Sequence, residues 1–302
     1  VLDSAPIPAQ ARERVRRQNG GAVGRSREEL ITPALVLDID AAQRNIDRMA
    51  DGLLHMGSAT IRPHYKAHKS PDLARRQVQA GASGLSMATV WEAVVLADAG
   101  LDDLFVVNTV SHPAKIAVLA RLAAGHRILV AVDEAANAAA LSTAATAAGS
   151  TLGVLVEVDT GMDRCGTDTA EQTLALARRV MDLPGLRFEG ITGYEGHCSL
   201  TVDNALRHER QRAAMMFFTG VADLLEADGI HCGIRSAGGI ATWRWMAMEP
   251  SSTSGPSSRA VPGITGSPGS PGRGSDAASR VTGSSRWAQD RSRDRCPAPG
   301  RT

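Results

Sequence analysis

The chain has 302 residues, a formal net charge of +1, and 43% apolar, 22% charged and 3% aromatic residues. That balance gives no electrostatic pull towards nucleic acid or an acidic membrane surface, and no apolar run approaches the roughly 20 residues that span a bilayer. Cys165, Cys198, Cys232 and Cys296 form no C-x-x-C pair and no secreted disulfide framework, which suits a reducing cytoplasm.

Residues 1–28 are polar, with Gly and Arg scattered through them, and read as a mobile arm. Ala34-Leu-Val-Leu-Asp-Ile-Asp40 then reads as a buried strand, with Asp40 and Gln43 as a capping box into a helix running towards Gly52. From there one unit repeats: short apolar strand, cap, amphipathic helix, Gly-rich turn. Strands are expected near Thr60, Ser83, Leu104, Arg127, Thr151, Arg187 and His231. Ser70-Pro71 marks a helix start, Thr89 with Glu92 and Asp168 with Glu171 read as capping boxes, and Gly81, Gly100, Gly125 and Gly149 mark helix stops.

Seven β-then-α units at a spacing of roughly 20–35 residues call for parallel strands joined by right-handed crossovers. No G-x-G-x-x-G follows the first strand, so an open dinucleotide-binding sheet is disfavoured. The expectation is an α/β chain with a (β/α)8 TIM-type barrel over residues 29–249. From Pro250 to Thr302 the chain is rich in Ser, Gly, Pro and Arg and holds no Leu, Phe, Met, Lys or Glu. Such a composition cannot bury enough apolar surface to offset its ordering entropy. It reads as a disordered tail, or as the product of a frameshift in GC-rich coding DNA.

Four stretches carry candidate chemistry. Of 33 basic residues only Lys66, Lys69 and Lys115 are lysines, and two of them lie in Ile61-Arg-Pro-His-Tyr-Lys-Ala-His-Lys69. If Thr60–Lys66 is a strand, Arg62, His64 and Lys66 share one face, with a desolvated Lys66 at the barrel mouth able to form an imine. A solvated basic loop is the plainer alternative. Val154-Leu-Val-Glu-Val-Asp-Thr-Gly-Met-Asp-Arg-Cys-Gly166 ends an apolar strand in acidic residues, and its turn at Gly161 would bring Arg164 over the mouth. Its Asp-Thr-Gly triplet also fits an aspartic-protease loop, which needs a second such loop on an all-β scaffold. Arg235-Ser-Ala-Gly-Gly-Ile-Ala-Thr242 could offer the Ser236 hydroxyl and the N–H groups of Gly238 and Gly239 to a phosphate. Tyr194 and His197, in Gly193-Tyr-Glu-Gly-His197, could serve acid–base or cofactor contacts, although a lone Tyr or His is more often a satisfied structural residue.

In this order the motifs resemble the D-threonine aldolase and D-serine dehydratase branch of the alanine-racemase-like pyridoxal-phosphate (PLP) enzymes, from Thr32-Pro-Ala-Leu-Val-Leu-Asp38 to about Trp245. The resemblance implies Lys66 as the Schiff-base lysine. It places His64, Arg164, Tyr194 and His197 beside the cofactor and Ser236, Gly238 and Gly239 at its phosphate. The implied substrate is a small D-amino acid, cleaved by a retro-aldol reaction to glycine and an aldehyde or, in the dehydratase version, stripped of its hydroxyl. A homodimer is implied too, with no nucleic-acid or membrane partner. So is a divalent metal, held by a His and a nearby Cys or Asp of a C-terminal β-domain.

The chain departs from that pattern. Ile240 stands where the family usually has threonine, and no histidine follows His231. The metal site, the C-terminal β-domain and the eighth strand are therefore expected to be missing, leaving a barrel incomplete at its C-terminal end. A PLP-binding pseudoenzyme without turnover is the competing expectation, and a racemase ranks last.

Overall fold

In the computed structural model of the chain, residues 20–22, 24–55, 59–239, 242–243 and 258–262 are described. Eight strands, β1 (Ala59–Arg62), β2 (Leu85–Met87), β3 (Leu104–Thr109), β4 (Ile128–Val132), β5 (Leu152–Val158), β6 (Leu186–Gly193), β7 (Ile234–Ser236) and β8 (Ser258–Pro262), form one sheet in the order β1-β8-β7-β6-β5-β4-β3-β2. Every pairing is parallel. The sheet closes between β1 and β2 through the His64–Ser86 bridge and the N–H of Ser86, which donates to the carbonyl of Pro63 at 2.8 Å. The architecture is the expected TIM-type barrel.

Helices α1 (Ile39–Leu54), α2 (Pro71–Gln79), α3 (Val90–Asp98), α4 (Pro113–Leu122), α5 (Ala135–Ala147), α6 (Ala170–Asp182) and α7 (Asn204–Ala227) surround the sheet. The strands are apolar on both faces because both are covered. Ile128, Val130 and Val132 of β4 pack outwards with residues such as Leu96, Leu119 and Leu141 of the helices. Leu129 and Ala131 point inwards, where they meet Phe105, Leu155 and Ile234. A chain of ion pairs joins Arg62 to Asp103 at 2.7 Å, Asp103 to Arg127 at 2.6 Å, and Arg127 to Glu189 at 3.2 Å. Asp103 and Arg127 immediately precede β3 and β4, so this network seals the N-terminal floor.

The seven strands expected from Thr60 onwards are all present. The Ser70-Pro71 start and the Thr89–Glu92 capping box are as read from the sequence. The next box is displaced by one residue, to Thr169 and Gln172 instead of Asp168 and Glu171. Gly81, Gly100 and Gly149 follow their helices with positive φ of 99°, 71° and 63°.

Three expectations are corrected. Ala34–Asp40 is not a buried strand: Leu35, Val36 and Leu37 are exposed and find no strand partner among the described residues. Asp38 caps α1 by accepting from the N–H of Ala41 at 2.8 Å, while Gln43 donates to Asp47. β1 stops at Arg62, before Pro63, which has no N–H to continue a ladder; the guanidinium of Arg62 is committed to the floor. Finally, the eighth place is filled, by the backbone of Ser258–Pro262 between β1 and β7. Most of the expected arm (1–28) and tail (250–302) lies outside the described residues. Among those residues, no helix is long and apolar enough to cross a membrane.

Gly190 is a point where no other residue fits. Its φ is 144° and a Cβ there would lie 1.9 Å from the carbonyl oxygen of Ile234 on β7. Gly190→Ala is expected to cost about 3 kcal/mol or more in denaturant unfolding, through backbone strain and displacement of β7. Gly125→Ala, where a Cβ meets nothing within 4 Å, should stay within about 0.5 kcal/mol.

Candidate active site

Parallel strands end on one rim, so the residues just past their C-terminal ends converge there. The inward register follows from the packing. Leu155 and Ile234 lie in the inner cluster, so Glu157 and Ser236, two residues on, share that face. Leu85, Met87 and Ile191 pack outwards, which turns Ser86 and Thr192 inwards. Ser86 Oγ, Glu157 Oε2 and Ser236 Oγ are buried and have no hydrogen-bond partner among the described residues. Each such atom costs about 1–3 kcal/mol relative to a satisfied one. Three of them around one mouth mark a place built for a polar ligand.

Lys66 stands on this rim, but differently from the expectation. With β1 ended at Arg62, the chain turns through a 3-10 segment at Tyr65–Ala67, and Lys66 is exposed rather than desolvated. Its N–H donates to Nδ1 of His64 at 3.2 Å. The imidazole of His64 is buried, and that burial, reinforced by the nearby Lys66 ammonium, pushes its pKa down to about 4. Lys69 has a positive φ of 51° and pairs with Glu92, the same carboxylate that caps α3. Of the two neighbouring lysines, Lys69 is thus tied into the scaffold.

Across the mouth, the loop after β5 delivers Arg164. Its guanidinium lies 5.7 Å from the centroid of the Tyr194 ring, within cation–π reach, and 3.8 Å from Oε1 of Glu157. The Cys165 thiol donates to the same carboxylate at 3.1 Å. Burial raises the pKa of Glu157, and this hydrogen bond and the Arg164 charge oppose the rise. Oδ1 of Asp159 is spent on the N–H groups of Gly161 and Met162, each at 2.8 Å. With this carboxylate engaged, on an α/β barrel, the aspartic-protease alternative falls.

Tyr194 joins the two loops. A Cβ on Gly196 would come within 2.4 Å of its ring, and one on Gly239 within 3.0 Å. The structure therefore brings Arg164, Tyr194 and Gly239 together, beside the β7 turn that begins at Ser236. The two glycine N–H groups, however, are already engaged: Gly238 donates to Glu195 at 3.2 Å and Gly239 to Thr242 at 2.9 Å. Among the described side chains of this turn, the Ser236 hydroxyl has no hydrogen-bond partner. His197 lies to one side, with Nε2 3.6 Å from Cys198 Sγ. It lines a cleft of about 670 Å³ with Asp159, Thr160, Gly161, Arg210 and Phe217.

Glu157 and Glu195 were missed by the sequence reading. Glu157 had a signal, a lone carboxylate in the apolar run Val154-Leu-Val-Glu-Val158; Glu195 had only its place between a strand end and Gly196. No group of three or more His, Cys, Asp or Glu side chains among the described residues could hold a metal ion.

The model of the alanine racemase N-terminal domain matches residues 37–253. The chain is similar to D-threonine aldolase from Arthrobacter sp., with 39% identity over 208 residues, 69% of this chain and 55% of the relative. It is similar to 3-hydroxy-D-aspartate aldolase from Paracoccus denitrificans, with 37% identity over 227 residues, 73% of this chain and 57% of the relative. Among solved structures, D-threonine aldolase from Filomicrobium marinum superposes with a TM-score of 0.72 at 35% identity, covering 78% of this chain and 62% of that one. D-threo-3-hydroxyaspartate dehydratase from Delftia sp. gives 0.69 at 28% identity, covering 78% and 61%. The chain spans about half the length of the curated relatives it matches.

The low pKa of His64 has a defined consequence. With a folded pKa of about 4 against an ordinary value of about 6.5, the unfolded chain takes up the proton first as pH falls. The contribution to stability is complete above about 6.5 and is lost as pH drops through about 4. In an NMR titration the His64 ring should stay neutral down to about pH 5. Lys66→Met should raise its midpoint by removing the neighbouring charge.

Proposed function

The chain belongs to the alanine racemase N-terminal domain family, a family of PLP-dependent enzymes, and on that premise we propose that it is a PLP-dependent lyase acting on D-3-hydroxy amino acids. The observation that carries the reading is the rim itself: Lys66 at the end of β1, Arg164 over Tyr194, and the unpartnered Ser236 hydroxyl on one barrel mouth. The unit concerned is the barrel, expected over residues 29–249 and joined by the backbone of β8 at Ser258–Pro262.

The residues present fit the cofactor. Lys66 offers a primary amine in an exposed turn, free of the pairing that holds Lys69. Buried Ser236 needs an acceptor, which a phosphate oxygen supplies. Arg164, beside Glu157 and Tyr194, would offer a cation to the bound cofactor, and neutral His64 lies next to the lysine. His197, to one side of this set across the Gly161 loop, is kept as a cofactor contact on the resemblance alone. When bound, the cofactor supplies an electron sink that no side chain here provides. The protein's own part is to orient that group and to hold the cation of Arg164 still.

The finer reading is an aldolase that cleaves its substrate to glycine and an aldehyde, supported by the two aldolase relatives. A D-serine dehydratase-like activity is the second reading, supported by 34% identity to D-threo-3-hydroxyaspartate dehydratase from Delftia sp. over 218 residues. The donor set among the described residues does not fit the divalent metal that the resemblance implies, so no step is assigned to one. A chain that binds PLP without turnover is the third reading. A homodimer and a cytoplasmic location complete the proposal; the free thiols Cys165, Cys198 and Cys232 suit a reducing compartment.

Titration with PLP should give wild type a visible absorption band that Lys66→Ala lacks. In assays run with and without added divalent metal, D-threonine or 3-hydroxy-D-aspartate should yield glycine. Formation of a keto acid and ammonia would favour the dehydratase reading, and a band without turnover the pseudoenzyme.

A further inference from the structure

We infer that Glu195 is a positioning residue for the turn that would receive the cofactor's phosphate, acting through Thr242; this rests on the cofactor reading above. Glu195 is 1% exposed and Thr242 2%. One carboxylate oxygen accepts the N–H of Gly238 at 3.2 Å, and the other accepts the Thr242 hydroxyl in a short hydrogen bond. Oγ1 of Thr242 in turn accepts the N–H of Gly239 at 2.9 Å. Glu195 thereby ties the loop after β6 to the turn after β7 across 43 and 47 residues of sequence.

The arrangement fixes what the turn can show a ligand. Both glycine N–H groups are drawn to the buried pair, so they set the path of the backbone instead of facing the mouth. Gly239 is held where the Tyr194 ring lies against it, close enough that a Cβ would be 3.0 Å away. The Ser236 hydroxyl, three residues before Gly239, has no hydrogen-bond partner among the described residues. A carboxylate is the suitable group for this post because both oxygens accept, one from an N–H and one from an O–H. Buried polar networks of this kind hold geometry only when every member is satisfied.

The test compares binding of PLP with binding of pyridoxal, which lacks the phosphate, in wild type, Glu195→Ala, Glu195→Gln, Thr242→Val and Thr242→Ser. Circular dichroism checks that each variant is folded. Glu195→Ala and Thr242→Val should each bind PLP about tenfold more weakly, the effect of losing one or two such bonds, with pyridoxal affinity unchanged. Thr242→Ser, which keeps the hydroxyl, should bind PLP within about threefold of wild type, and Glu195→Gln, which keeps one of the two acceptors, should fall between Thr242→Ser and Glu195→Ala. If Glu195→Ala does not fold, Thr242→Val carries the test. Unchanged PLP affinity in folded Thr242→Val, a parallel loss of PLP and pyridoxal, or tighter PLP binding in Glu195→Ala would each overturn the inference. Wild type that binds neither compound overturns the cofactor reading as well; wild type that binds both isolates the failure to Glu195.

Discussion

The inner packing of the barrel is the constraint on which the site depends. Phe105, Leu129, Leu155 and Ile234 come from four different strands and meet inside the sheet. Their contact fixes the register of β3, β4, β5 and β7, and so the height at which each strand ends. A slip of one residue in β5 or β7 would turn Glu157 or Ser236 towards the helices. Below this layer, Arg62, Asp103, Arg127 and Glu189 close the floor with paired charges. What is left open is the opposite rim.

That rim departs from the economy of the rest of the molecule. The outer layer is largely apolar, and most caps are made by the residues that helix starts favour. At the mouth, Ser86, Glu157 and Ser236 keep buried polar atoms unpaired, a cost that folding alone does not reward. Nearby, carboxylates are used to hold other groups: Glu157 holds Arg164 and Cys165, Glu195 holds Gly238 and Thr242, and Glu92 holds Lys69. Lys66 is left out of these pairings, which leaves its amine available on an exposed turn.

Most of the barrel was legible because its signals are local. Short apolar runs mark the seven strands from Thr60 onwards, and Ser70-Pro71, Thr89 and the stop glycines mark helix limits. The failures share one cause: they depend on what lies next to a segment in space. Ala34-Leu-Val-Leu-Asp38 is as apolar as any strand here, yet no strand lies beside it among the described residues and it stays exposed. Lys66 was placed on a strand because alternation from Arg62 allowed it, while Pro63 ends the ladder one residue later. The glycines of the β7 turn were read as ligand donors because Glu195, 43 residues away, could not be seen to claim one of them. Pairings over such distances leave no periodic trace.

The most direct measurement is to load the chain with PLP, reduce it with borohydride, and map the modified peptide by mass spectrometry. Three lysines compete for the label: Lys66 in its exposed turn, Lys69 paired with Glu92, and Lys115 on α4. The expected result is the reduced cofactor on Lys66, with Lys69 and Lys115 unlabelled. Label on either of those lysines, or a folded chain that takes no label, would contradict the assignment of this rim as the cofactor site.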